Sequence, residues 1–158
     1  MPNSEYTAKI VWVRKPDEIY TDRKYSRAHQ WEFDGGVTVS ASPSPHVVPA
    51  PMSSETSVDP EEAFVASLSS CHMLFFLEFA AIKRFVIDQY VDNAIGIMSE
   101  NSEGKTAMTK ITLRPKATFS GDKLPTFEQI EQLHHRAHEH CFIANSIKTE
   151  VVIEVLSD

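Results

Sequence analysis

Residues 59–85 constrain this chain more than any other stretch, because they announce a helix and then leave it no polar side to turn toward water. Asp59 is a good N-cap, Pro60 suits the first helical position, where its missing N–H costs nothing, and Glu62 stands three residues after Asp59 in the manner of a capping box. Beyond Ala63 the apolar residues Phe64, Val65, Leu68, Met73, Leu74, Phe75, Phe76, Leu77, Phe79 and Ile82 fall on nearly every side of the helix. A helix apolar all round needs protein on all sides, and a chain of 158 residues has trouble supplying that cover alone. A second copy of the chain is the simplest supply. A membrane span is the competing reading, but Glu61, Glu62, His72, Glu78, Lys83 and Arg84 interrupt the segment, so no membrane is expected.

The flanking sequence reads as strands with one more helix. Residues 6–13 alternate as a strand, 15–26 form a polar loop, and 28–33 and 37–41 are strands joined by the tight turn Asp34-Gly35-Gly36. Residues 42–58 hold Pro43, Pro45, Pro49 and Pro51 among many serines, which block helix and sheet pairing and leave a long loop, a lid or a linker. After the apolar helix, 90–98 and 108–119 read as a hairpin around Asn101-Ser102-Glu103-Gly104. Residues 125–141 form a second helix through Phe127, Ile130, Leu133 and Ala137, and 148–156 a closing strand. The order is that of one α+β domain over 1–158: an N-terminal β-meander, a long apolar helix, a β-hairpin, a second helix and a C-terminal strand.

Composition narrows the partners. Fifteen Lys and Arg against 22 Asp and Glu give a net charge of −7, which excludes the basic patch a nucleic-acid surface needs. The first residues lack the basic start and apolar run of a secretory signal, so the cytoplasm is the expected location. Two cysteines, Cys71 in the apolar helix and Cys141 at the end of the second, are not expected to form a permanent disulfide there. Thiols that meet in that compartment are more often catalytic or redox-sensing, and two unrelated buried thiols are the plainer alternative.

Pro60-Glu61-Glu62 before an apolar helix carrying Cys71, with a second helix ending in Cys141 and Asn145 shortly after, resembles the OsmC/Ohr family of osmotically inducible and organic hydroperoxide resistance proteins. The resemblance implies an OsmC-like fold, an intertwined homodimer and a cofactor-free thiol peroxidase that reduces organic hydroperoxides, with a dithiol, such as a lipoylated protein, as reductant. It implies Cys71 as peroxidatic cysteine, Cys141 as resolving cysteine and Glu61 as the carboxylate orienting an arginine. For that arginine the first hairpin offers Arg27, the preferred choice, then Arg23, with Arg14 more remote. Cys141-Phe142-Ile143-Ala144-Asn145 departs from the family pattern, which commonly has Pro after the cysteine and Ser before the Asn.

The residues make a physical case beside the resemblance. Cys71 lies about three turns into its helix, past the reach of the helix dipole, so a guanidinium is the expected source of a thiolate and of hydrogen bonding to a developing alkoxide. About ten helical residues, or about 15 Å of rise, separate Glu61 from Cys71. The helix is therefore broken, or Glu61 of one subunit serves Cys71 of the other; we expect the second. Cys141, at a helix C-terminus that disfavours negative charge, should remain a thiol longer. Phe64, Leu68, Leu74 and Phe75 flank Cys71 and would favour a hydroperoxide with a carbon tail, or else are ordinary core. Glu78 could replace Glu61 as orienter. His134, His138 and Cys141 can share one helix face as zinc ligands, the feature of an alternative reading as a non-enzymatic binding protein for zinc or an apolar ligand.

Overall fold

The computed structural model describes residues 3–156 and divides into two compact units, the first ending at Ala63 and the second beginning at Phe64. In the first unit, β1 (Lys9–Val11), β2 (His29–Glu32) and β3 (Thr38–Ala41) form an antiparallel meander in which Trp31 pairs with Ile10 on one side and Val39 on the other. Gly36 supplies the φ of 93° that closes the β2–β3 turn. The first strand is shorter than its alternation suggests. At Trp12 the chain leaves the sheet and the indole Nε1–H donates instead to the Ser26 carbonyl at 2.9 Å.

Both long loops of this unit are fastened by their own polar groups. The Glu18 carboxylate accepts the Ser26 N–H and Arg14 Nη1 donates to the Glu18 carbonyl at 2.6 Å, which closes the segment between β1 and β2. The proline-rich segment returns to β3. Ser42 N–H donates to the Val58 carbonyl and Val58 N–H to that of Ser40, while Ser42 Oγ accepts from Ser54 N–H at 2.7 Å. Serine hydroxyls here take up backbone groups that proline keeps out of regular pairing, so the segment is a folded loop rather than a slack linker.

Helix α1 runs unbroken from Pro60 to Ile82. Its start is the capping box read from the sequence: Glu62 N–H donates to Asp59 Oδ1 at 2.7 Å and Asp59 N–H to Glu62 Oε1 at 2.9 Å. It stops three residues short of the expected Phe85, because Arg84 turns left-handed at φ 66° and Phe85 N–H reaches back to the Ala80 carbonyl. No glycine marks that stop. By length and composition α1 could cross a membrane, and only 28% of its most apolar window is buried, with Leu74 60% and Ile82 57% exposed.

The hairpin after α1 is bent in the middle, so two expected strands become four. β4 (Val86–Asp92) pairs with β7 (Pro115–Ser120), and β5 (Ile95–Glu100) pairs with β6 (Thr106–Leu113), all antiparallel. The bend has two causes. Pro115 has no N–H to continue the ladder, and the Asp92 carboxylate takes the Arg114 N–H and the Ser69 hydroxyl. Helix α2 (Phe127–His140) opens with a second capping box, Thr126 with Gln129, and a 3-10 turn (Ala144–Ser146) leads to β8 (Glu150–Ile153), which joins β6 in parallel.

The bend gives the second unit two cores. Leu68 of α1, Ile111 and Leu113 of β6, and Cys141 form one; Phe76, Phe79, Ala80, Phe85, Leu133 and Ala137 form the other, against β4 and β7. Gly96 belongs to the first, where a Cβ would come within 2.6 Å of Val65 Cγ2 and Met108 Sδ.

Candidate active site

The two cysteines, remote in sequence, meet in the first of these cores. Cys71 packs against the cluster that buries Cys141, its thiol is among the groups that act on the Cys141 thiol, and both are free. They differ in exposure. Cys71 is half-buried, while Cys141 is wholly enclosed and its thiol is pushed up to about 11, first by burial and against the backbone hydrogen bond from Ala144, whose N–H donates to Sγ at 3.4 Å. Burial, rather than the helix C-terminus expected from the sequence, is the main cause of a protonated Cys141.

The charged residues of interest lie in the first unit, around a cleft of about 440 Å³. Its lining includes Trp12, Tyr20, Tyr25, Arg27 and Glu61. Tyr20 and Tyr25 stack at 4.6 Å, and the Trp12 ring meets Tyr25 edge-on at 5.5 Å. Arg27 lays its guanidinium over the Tyr25 ring, 3.9 Å from the centroid, and donates through Nη1 to the Tyr25 carbonyl at 2.7 Å. Its backbone N–H donates to Met52 of the proline-rich loop. Glu61 keeps one carboxylate oxygen, Oε2, buried with no hydrogen-bond partner among the described residues. Arg27 and Glu61 thus share a cleft. Arg23 is exposed at φ 65° and outside its lining, as is Arg14, bound to Glu18.

Other expected residues are dispersed. Leu68 is 1% exposed and is core, Phe64 packs with it, Phe75 belongs to the second core and Leu74 faces outward, so the four do not form one surface around Cys71. Glu78 is exposed. The unbroken α1 removes the alternative of a broken helix between Glu61 and Cys71.

The zinc grouping is corrected. His134 Nδ1 is engaged with His72 Nε2 at 2.9 Å rather than sharing a centre with Cys141, and among the described residues no three such side chains are grouped to hold a metal ion. The sequence reading missed this histidine pair and the aromatic lining of the cleft. His72 looked like an interruption of an apolar helix, and its partner lies 62 residues away.

Fold and thiols together define a class, an α+β protein with two cysteines set against each other between a long apolar helix and the end of a second helix. Residues 53–156 match the family model described as OsmC-like protein, and the chain belongs to that family. Among solved structures it is similar to an OsmC-like protein of unknown function, VCA0330 from Vibrio cholerae, at 59% identity over 98% of this chain and 100% of that one, with a TM-score of 0.97. Organic hydroperoxide resistance proteins from Elizabethkingia anophelis (15% identity, 99% and 100% covered, TM-score 0.70) and Bacillus subtilis, OhrB (19%, 96% and 98%, 0.64), share the fold. No curated protein matches the chain in sequence.

Proposed function

We propose that the chain is a cysteine-based peroxidase that reduces organic hydroperoxides to alcohols in cytoplasmic oxidative-stress defence. The observation that carries this reading is the meeting of Cys71 with Cys141, one thiol half-open and the other enclosed, in a member of the OsmC-like family. The Cys71 thiolate attacks the outer oxygen of ROOH, the O–O bond breaks, and the alkoxide takes a proton to leave as ROH, with Cys71 oxidised to the sulfenic acid. Cys141 then attacks that sulfur, hydroxide leaves and takes up the Cys141 proton as water, and a Cys71–Cys141 disulfide remains. An external dithiol, such as a lipoylated protein, exchanges with the disulfide and restores both thiols.

Activation of Cys71 is assigned to Arg27, oriented by Glu61, with Trp12, Tyr20 and Tyr25 receiving the carbon tail. The pair acts on Cys71 of a second subunit. What supports a homodimer is the uncovered apolar surface of α1 and the orphaned Glu61 oxygen. Mixed dimers test this arrangement. Pairing an Arg27→Ala chain with a Cys71→Ser chain rebuilds one complete site if the groups act across subunits, so consumption of cumene hydroperoxide with a dithiol should return. Failure of either parent to recover in the mixture would sink the shared site.

A further inference from the structure

The second core of the second unit contains a feature that the thiol chemistry does not use. His72 of α1 and His134 of α2 are 1% and 2% exposed, and their rings meet through His72 Nε2 and His134 Nδ1 at 2.9 Å. Their planes differ by 5° with centroids 5.2 Å apart, which together with so short a nitrogen contact means two rings lying edge to edge in one plane. Phe76 covers the face of His134 at 4.1 Å. Apolar cover holds both rings neutral: burial and then His138 lower His72 to about 4, and burial and then His72 lower His134 to about 3.

A neutral imidazole has one N–H and one lone pair, so the shared bond uses one donor and one acceptor of the pair and leaves one of each. These are His72 Nδ1 and His134 Nε2, at opposite ends of the dyad, both buried and without a partner among the described residues. Two further groups in the same condition stand nearby. His138, whose charge acts on His72, keeps its Nδ1 buried, and the Tyr90 hydroxyl belongs to a ring 6.4 Å from His134. Folded cores seldom leave buried polar atoms unpaired, so these four among the described residues call for a ligand.

We propose that the His72–His134 dyad is a binding site for internal water at both of its open nitrogens, and that the completed chain, from His138 through His72 and His134 to Tyr90, is a proton relay through the core. Water is the ligand chemistry that fits, because each end must accept a donor in one tautomer and an acceptor in the other, and water is both. The relay step balances. A proton arriving at His72 Nδ1 lets the Nε2 proton pass to His134 Nδ1, and the proton on His134 Nε2 leaves to the water beyond; one enters, one departs, and both rings stay neutral. Other titratable groups around this core include Cys71 beside His72 on α1, Arg136 over the Phe79 ring and His140 edge-on to it on α2, Lys123 over Phe85, and Asp92 near Tyr90 on β4, and burial followed by Asp92 raises the Tyr90 hydroxyl. The proposal does not depend on the peroxidase reading.

A crystal structure of the intact protein at a resolution that shows ordered water, with 15N NMR of the histidine rings in solution, tests it. Expected are a water within hydrogen-bonding distance of His72 Nδ1 and another of His134 Nε2, and ring nitrogen shifts averaged between the two tautomers. The shifts should move to those of a single tautomer at His134 in His72→Phe. Dry contact or a metal ion at either nitrogen, or one fixed tautomer at both rings in the wild type, overturns the proposal. Because the wild type carries the decisive readings, a variant that fails to fold does not blunt the test.

Discussion

Helix α1 contributes to both cores of the second unit, yet each sets a different pair of reactive groups against it. In the core against β5, β6 and β8, α1 brings Cys71 to Cys141, and the enclosed sulfur is met by a backbone N–H from Ala144. In the core against β4 and β7, α1 brings His72 to His134, and the outer nitrogens of the pair find no protein partner. The thiol pair is closed locally, with its enclosed member met by the backbone. The histidine pair leaves both of its outer nitrogens unpartnered among the described residues. A bend in one hairpin, at Asp92 and Pro115, separates the two.

The sharpest way to set the cores apart is Cys71→Ser, expected to cut turnover of organic hydroperoxide by at least about a thousandfold while leaving thermal unfolding nearly unchanged. Steady-state peroxide consumption beside calorimetry reads both. Acid acts on the histidine core instead. The ordinary histidine value of 6.5 exceeds the folded values of about 4 and about 3, so the unfolded chain binds more protons between them. Stability from this pair is therefore complete above about 6.5 and declines as pH falls toward 3. Denaturant unfolding across that range checks this, and a flat profile would mean that the rings are not buried neutral.

Packing around the thiols is probed by Gly96→Ala. The new methyl meets Val65 and Met108 at 2.6 Å, and because Met108 is flexible the expected loss is about 2 kcal/mol, measured as a lowered denaturation midpoint. The smallest effect is at the start of α1. Asp59→Ala removes one half of the capping box and should cost about 1 kcal/mol with little change in peroxide consumption.

Legibility in the sequence follows how local each signal is. The start of α1 was readable because Asp59, Pro60 and Glu62 carry it within four residues, and the meander because Gly35-Gly36 marks its turn. The end of α1 was not, since Arg84 adopts a conformation that usually advertises itself as glycine. The hairpin bend was invisible for a related reason: Asp92 acts through the Arg114 N–H, a partner far along the chain. Cys71 and Cys141 stood out only because the chain has no other cysteine, whereas His72 was one of seven histidines and its pairing is wholly tertiary. Arg27 and Glu61 were named from a family resemblance. The three aromatic rings that share their cleft were not, because the loop that gathers Tyr20 and Tyr25 is set by the Glu18 and Trp12 hydrogen bonds.

Rapid mixing of the reduced protein with cumene hydroperoxide, following thiol loss in wild type, Cys71→Ser and Arg27→Ala, tests the central claim most directly. Oxidation of the wild type far faster than of a free thiol, absent in Cys71→Ser and slowed about a hundredfold in Arg27→Ala, is the predicted result. A wild-type rate no greater than that of a free thiol would contradict the account.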